Sequence, residues 1–253
     1  MLWGVLSAAL FALGANFVKA GGSNQQDATY QAVCGPNTLR QTLKNRTEGL
    51  QVKVVFQGDM VAEEDDIPDP DTLVYRYTGR GTFQGSSHES IRSTSYRDGV
   101  QMVDYVQYVA TDSRSFIQYG FTSQGGAVSS MTVFTPPKTT PLKLARGVRE
   151  VVSPGLEVKR YSTGIEETVE RISEQVTWEG VEELTIGGLK VKACRFSDVV
   201  EWRFKGQPTE TDRSRFWTAA SGDYLGLGLR EEHLDEGGGV TGSKQVTHVT
   251  WIP

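Results

Sequence analysis

Apolar and polar positions alternate with a period of two along most of the chain, the pattern of strands that bury one face. Residues 52–56 form the first such run. Leu73, Tyr75 and Tyr77 then share one face of a segment whose other face carries Val74 and Arg76. Residues 92–96 follow a Gly85-Ser86-Ser87 turn, and Asp98-Gly99 is a hairpin signal. Residues 100–110 place Val103, Tyr105, Gln107 and Val109 on one parity. Residues 116–122 set Ile117, Tyr119 and Phe121 against Phe116, Gln118 and Gly120, and Gly125-Gly126 separates them from residues 127–134. Strands joined at this spacing by Gly-rich turns predict an antiparallel meander.

Pro136-Pro137 and Pro141 offer no backbone donors and read as a linker, and Ser153-Pro154-Gly155 reads as another break. A boundary inside the domain is therefore a candidate near 135–155. Strand-like runs resume at 157–161, 167–178, 182–186, 190–196, 199–204, 213–218, 224–231 and 245–252. Two segments are ambiguous. Ile165, Val169, Ile172 and Val176 recur at helical spacing, but Thr168, Val169, Ile172, Val176 and Thr177 are β-branched, which favours one long strand. Residues 38–50, with Asn37 as an N-cap and Leu39, Leu43 and Leu50 as apolar positions, fit a short helix or a bent strand.

Composition supports the pattern. Of 253 residues, Val and Thr make up 51 whereas Ala and Leu make up 31, and 28 are glycine. A helical bundle, a coiled coil, collagen and wholesale disorder are excluded. The expected fold is mostly β: an antiparallel meander forming a curved sheet, half-barrel or sandwich, with one or two short helices. The net charge of -5 argues against nucleic acid as a partner.

Residues 2–14 are uncharged and apolar, too short to span a bilayer core of roughly 30 Å as a helix. Val18 and Ala20 follow at the spacing read by signal peptidase, so residues 1–20 are expected to be a signal peptide and 21–253 a single β domain, periplasmic or secreted and not membrane-spanning. Residues 21–30 read as a polar lead-in. Cys34 and Cys194 fit no zinc spacing, and in an oxidising compartment they are expected to pair as a disulfide.

Candidate chemistry is sparse. No phosphate loop, dinucleotide fingerprint, nucleophile elbow or His-Glu-x-x-His is present, so no cofactor is expected. His88 beside Glu89 could act as an acid/base pair, but its Gly/Ser-rich setting favours an exposed turn residue. His248 is in phase with Val246, Thr250 and Ile252 and reads as structural, and His233 among Glu231, Glu232, Asp235 and Glu236 reads as a solvated edge. Six acids in residues 63–71, interrupted by Pro68 and Pro70, form an exposed loop without the spacing of a calcium site, and no metal site is expected. Asp198, Glu201, Glu210 and Asp212 fit ordinary strand surfaces. Tyr75, Tyr77, Tyr105, Tyr119, Trp202 and Trp217 are the candidate ligand-binding residues, since a concave aromatic face could hold a hydrophobic molecule.

From Thr135 onward, the order of features resembles uncharacterised bacterial secreted β-proteins grouped with TapB-like and periplasmic lipoprotein-like proteins. The residues are Phe134-Thr135-Pro136-Pro137, Val169 to Trp178, the Glu182-Glu183 strand ending at Gly187-Gly188, the strand around Cys194, and Phe216-Trp217-Thr218 with Gly222 to Leu229. The usual Pro-Ala-Gly turn is here Gly187-Gly188. The resemblance implies a curved antiparallel sheet like the half-barrels of the LolA and LolB carriers, and brings no catalytic residues. The function expected is a non-catalytic binding or carrier module for a hydrophobic small molecule or an envelope protein. The alternatives are a hydrolase with His88 or His248 as base, and a structural adaptor pairing through a sheet edge.

Overall fold

The period-two alternation is realised in the computed structural model, which describes residues 39–58, 69–112, 115–141, 147, 149–152 and 154–253. The expected signal peptide, the polar lead-in, Asn37, Cys34 and most of the acidic loop lie outside these residues. One helix, α1 (Leu39–Lys44), precedes strands β1 (Gly49–Gly58), β2 (Thr72–Phe83), β3 (Ser86–Arg97), β4 (Val100–Thr111), β5 (Ser115–Gly125) and β6 (Val128–Pro141). Then come β7 (Arg149–Val152), β8 (Gly155–Tyr161), β9 (Glu166–Ile186), β10 (Leu189–Phe204), β11 (Glu210–Ala219), β12 (Gly228–Leu234) and β13 (Val240–Ile252). A single 3₁₀ turn, Gly222–Tyr224, lies between β11 and β12.

All pairings among the described residues are antiparallel. β1 pairs with β13 and β10 pairs with both β9 and β11, so the meander closes on itself. β8 covers residues 166–171 of β9 and β7 covers 174–177, on the same side. They are two halves of one strand, broken beside Pro154. The wall therefore has twelve strand positions and is a closed barrel. The expected curved sheet, half-barrel or sandwich is sharpened: the curvature runs to closure. Extra residues at register shifts in β2, β4, β5, β9, β12 and β13 add the local twist that closure needs. Closure also removes most of the free edges that would invite pairing with another chain, the exception among the described residues being the side of β6 beyond Thr135 that faces β7.

The Asp98-Gly99 turn obeys the chemistry read from sequence, whereas Ser86, Ser87 and His88, expected in a turn, lie in β3, because the turn itself is Gln84-Gly85. Asp98 and Gly99 both have positive φ, 51° and 78°, as a two-residue type I′ hairpin requires. Of the ambiguous residues 165–176, all but Ile165 lie in β9, so the β-branched side chains outweigh the helical spacing. Of residues 38–50, the described ones from Leu39 on resolve into α1 followed by the start of β1. Two further expectations are corrected. Residues 167–178 and 182–186 are one strand, bulged at Gly180 opposite Arg195 and Phe196, and residues 190–196 and 199–204 are likewise one strand. Pro136-Pro137 is not a linker: β6 runs to Pro141, because residues 138–141 still pair with β5 while the side without donors has no ladder partner.

Leu50, Val52 and Val54 point inward from β1, alternating with half-buried Gln51 and exposed Lys53 and Val55. They pack with Leu39 and Leu43 of α1, Ile91 and Val246. Fully burying each such side chain stabilises by about 1.5–3 kcal/mol. α1 spans the interior at one barrel end: Arg40 and Lys44 pair with Glu89 of β3, and the Thr42 hydroxyl donates to the Leu225 carbonyl at 2.9 Å. A second cluster joins Val176, Trp178, Cys194, Phe196 and Phe216.

Candidate functional site

Ladder pairing carries the inward parity of β1 around the ring. Val54 faces Val246, Phe56 faces Lys244, Lys244 faces Glu231, Glu231 faces Phe216, and Phe216 faces Phe196. Two residues beyond Phe196 at the same parity is Asp198, opposite Val176. On the other side of the barrel, buried Val109 faces Gln118, which faces Lys138, and Phe134 faces Glu157. The inner wall thus brings Lys138 (β6), Glu157 (β8), Arg171 and Glu174 (β9) and Asp198 (β10) into one charged network.

The network is bonded across strands. Lys138 Nζ lies 2.8 Å from Glu174 Oε2, Arg171 Nη1 2.9 Å from Glu157 Oε1, and Arg171 Nε 3.9 Å from Glu174 Oε2. Arg171, Glu174 and Asp198 are 2%, 3% and 6% exposed. Asp198 Oδ1 has no hydrogen-bond partner. Burial, reinforced by Glu174, pushes the Asp198 carboxyl up to about 7. Burial also raises Glu157. For Lys138, burial acts downward, but Glu174, Asp198 and Glu157 outweigh it and raise its pKa. Two cations face three carboxylates, so one negative charge is unmatched unless Asp198 holds a proton.

A second inward pair, Lys244 Nζ to Glu231 Oε2 at 2.7 Å, lies beside Tyr75, whose hydroxyl is raised by burial. These residues line a cavity of about 30 Å³ with Leu39, Val52 and Phe216. That is room for about two waters.

The six candidate aromatic residues do not form one face. Tyr75, Tyr77, Tyr105 and Trp202 are on the inner parity: Tyr75 faces Leu50 and Ser93, Tyr77 faces Ile91, Tyr105 faces Ser93, and Trp202 faces Arg171. Trp202 donates to Asp212 Oδ2 at 2.6 Å and meets Phe204 edge-on. Trp217 has the opposite parity, facing Arg195 and Arg230, and donates to Glu182. Tyr119 sits at the β5 register shift, its ring 3.9 Å from that of His88. His248 is exposed on β13, and His233 lies 3.9 Å from Glu231. Among the described residues, neither His88 nor His248 hydrogen-bonds a serine or a carboxylate, and no three His, Cys, Asp or Glu side chains converge as metal ligands. Cys194 is buried on β10, but Cys34 lies outside the described residues, so the bridge stands as a proposal.

Reading charges as strand surface missed this network. Asp198 is corrected: it is buried, not an ordinary surface acid, whereas Glu210 is exposed and Glu201 accepts from the Ser173 hydroxyl. A usable signal existed in the sequence. Glu174 is in phase with Val176 and Trp178, and Asp198 with Phe196 and Val200, so both acids interrupt apolar faces.

No protein-family model matches the chain, and no curated protein matches it. Among solved structures, it is similar to a Bacteroides fragilis protein described as exported and YmcC-like in fold, at 9% identity and TM-score 0.48, covering 80% of this chain and 95% of that one. It is similar to a Parabacteroides distasonis protein described as a lipoprotein, at 8% identity and TM-score 0.48, covering 81% and 96%. It is also similar to the hypothetical lipoprotein YmcC of Escherichia coli, at 10% identity and TM-score 0.35, covering 90% and 98%. None of the three is described as TapB-like or as a LolA or LolB carrier, and that resemblance stays an expectation.

Proposed function

We propose that the protein is a non-catalytic binding module of the periplasm or cell exterior that takes a small polar ligand into its barrel. One observation carries this reading. Gln107 Oε1, Thr111 Oγ1, Thr132 Oγ1 and Asp198 Oδ1 are all buried at inward positions without a hydrogen-bond partner. Buried polar atoms are normally bonded, and leaving one unpaired costs about 1–3 kcal/mol. A ligand bearing O–H or N–H donors that reaches one of these acceptors would supply the bond it lacks. This shifts the expectation from a hydrophobic ligand to a polar one, since the aromatic candidates do not share one face, and Trp217 is buried in the core cluster with Leu39 and Val52.

The outer wall supports a water-facing barrel. It carries Lys53, the Arg92–Asp104 pair, and Arg203 and Arg195 paired with Glu170 and Glu179, where a lipid-facing barrel needs an apolar band. Among the described residues, no helix is long and apolar enough to cross a membrane. The apolar run of residues 2–14 supports export. An envelope protein as partner is the second reading, but among the described residues the wall leaves it only the short unladdered stretch between β6 and β7 to pair with.

Native mass spectrometry of the protein purified from its own host tests the ligand. The expected result is a bound mass that is lost in the double variant Gln107→Leu/Thr132→Val. A bare polypeptide mass, with no thermal shift across polyols, sugars and alkylamines, would sink the reading.

A further inference from the structure

Among the described residues, β6 and β7 lie beside each other in the wall without a ladder between them. β6 pairs with β8 over Ser130–Thr135 only, and beyond Thr135 its side toward β7 carries Pro136 and Pro137, which cannot donate. β7 pairs with β9 and has no ladder to β6. Across this seam the tie is ionic: Lys138 reaches from β6 to Glu174 of β9, at 2.8 Å. Asp198 lies on the next strand, 6% exposed, with its Oδ1 unpartnered.

Two charge states of this cluster differ in kind. With Asp198 neutral, Lys138 and Arg171 balance Glu157 and Glu174 one for one. With Asp198 ionised, an unmatched anion sits beside Glu174, repels it and competes with it for Lys138. A buried unmatched charge is relieved by admitting water, and the unladdered seam is where the wall yields with the fewest backbone hydrogen bonds broken. We propose that Asp198 is a proton-controlled latch on the β6–β7 seam, holding the wall closed when protonated and loosening it when ionised. The proposal rests on the reading of the barrel interior as the ligand chamber, and adds that access to it is set by pH.

The other groups facing Asp198 do not cancel the effect. Asp212 of β11 adds a further negative charge to its surroundings and is itself bonded by the Trp202 indole. Ser214 of β11 and His233 of β12 continue the Asp198 row. His233 lies beside Glu231, whose charge is already matched by Lys244. On β6, β8 and β9 the groups are Lys138, Glu157, Arg171 and Glu174, already counted. The Asp198 carboxyl, held near 7, places the change at physiological pH.

Hydrogen–deuterium exchange of the ligand-free protein, corrected for intrinsic rates, reads the seam directly and is independent of whether any ligand binds. Between about pH 5.5 and about pH 8, the amides of Arg149–Val152 and of residues 138–140 are expected to lose roughly tenfold in protection, while those of β1 and β13 do not change. Asp198→Asn, which mimics the protonated acid, is expected to keep the seam protected at both values. Equal protection at both pH values in the wild type, or a pH-dependent loss that persists in Asp198→Asn, overturns the latch. If the variant fails to fold, the carbon-13 shift of the wild-type Asp198 carboxyl decides. A midpoint near neutrality supports the latch, and one in the ordinary aspartate range overturns it.

Discussion

Single side chains carry the largest consequences at the charged network. The folded-state pKa of Asp198, about 7, lies above its ordinary 3.8, so the folded protein holds this proton more tightly than the unfolded chain. Its stabilising contribution is full below the ordinary value and is lost as pH rises toward 7. Burial shifts Glu157 the same way. Urea unfolding from about pH 5 to about pH 8 should show the wild type losing stability relative to Asp198→Asn, and parallel curves would refute this. Arg171 is a different case, since it holds Glu157 and sits beside Glu174. Arg171→Met leaves both acids short of a partner and should cost about 3–5 kcal/mol, read from the urea midpoint.

At the scale of elements, β5 is shaped by its register shift. Gly120 has φ 154°, and a Cβ there would lie 2.1 Å from the Thr132 carbonyl and 2.6 Å from the Phe83 ring. Gly120→Ala should therefore destabilise by about 2–4 kcal/mol, since backbone and ring must both move. Unchanged thermal unfolding would show that the shift can relax. α1 depends on tertiary contacts instead. Six residues are too few for a stable isolated helix, and Leu43 is wholly buried among β-strand side chains. Leu43→Ala should cost about 2–5 kcal/mol in the same assay. Strand alternation and the hairpin at Asp98-Gly99 were legible because they are local. The unbroken β9 and β10 were not, because a bulge at Gly180 and a buried acid at Asp198 look like strand ends when neighbouring strands are unseen.

For the whole molecule, the proposed Cys34–Cys194 bridge would tie the N-terminal region to the wall. A closed loop of about 160 residues is worth roughly 5 kcal/mol on the chain-entropy view. Thiol titration of the unfolded, unreduced protein should find no reactive thiol, and two after reduction; two before reduction would remove the bridge. The amino-acid sequence by itself determined that the chain is β, antiparallel and turn-rich, because side-chain alternation and turn propensities act over a few residues. Closure into a twelve-position barrel was decided only by the pairing of β9 with β10 and of β1 with β13, of which the second joins residues at opposite ends of the chain. Once the ring closes, parity acquires an inside and an outside. Closure turns Lys138, Glu157, Arg171, Glu174 and Asp198 from scattered strand charges into one network, because only a closed wall brings the inward faces of distant strands together and removes water from between them.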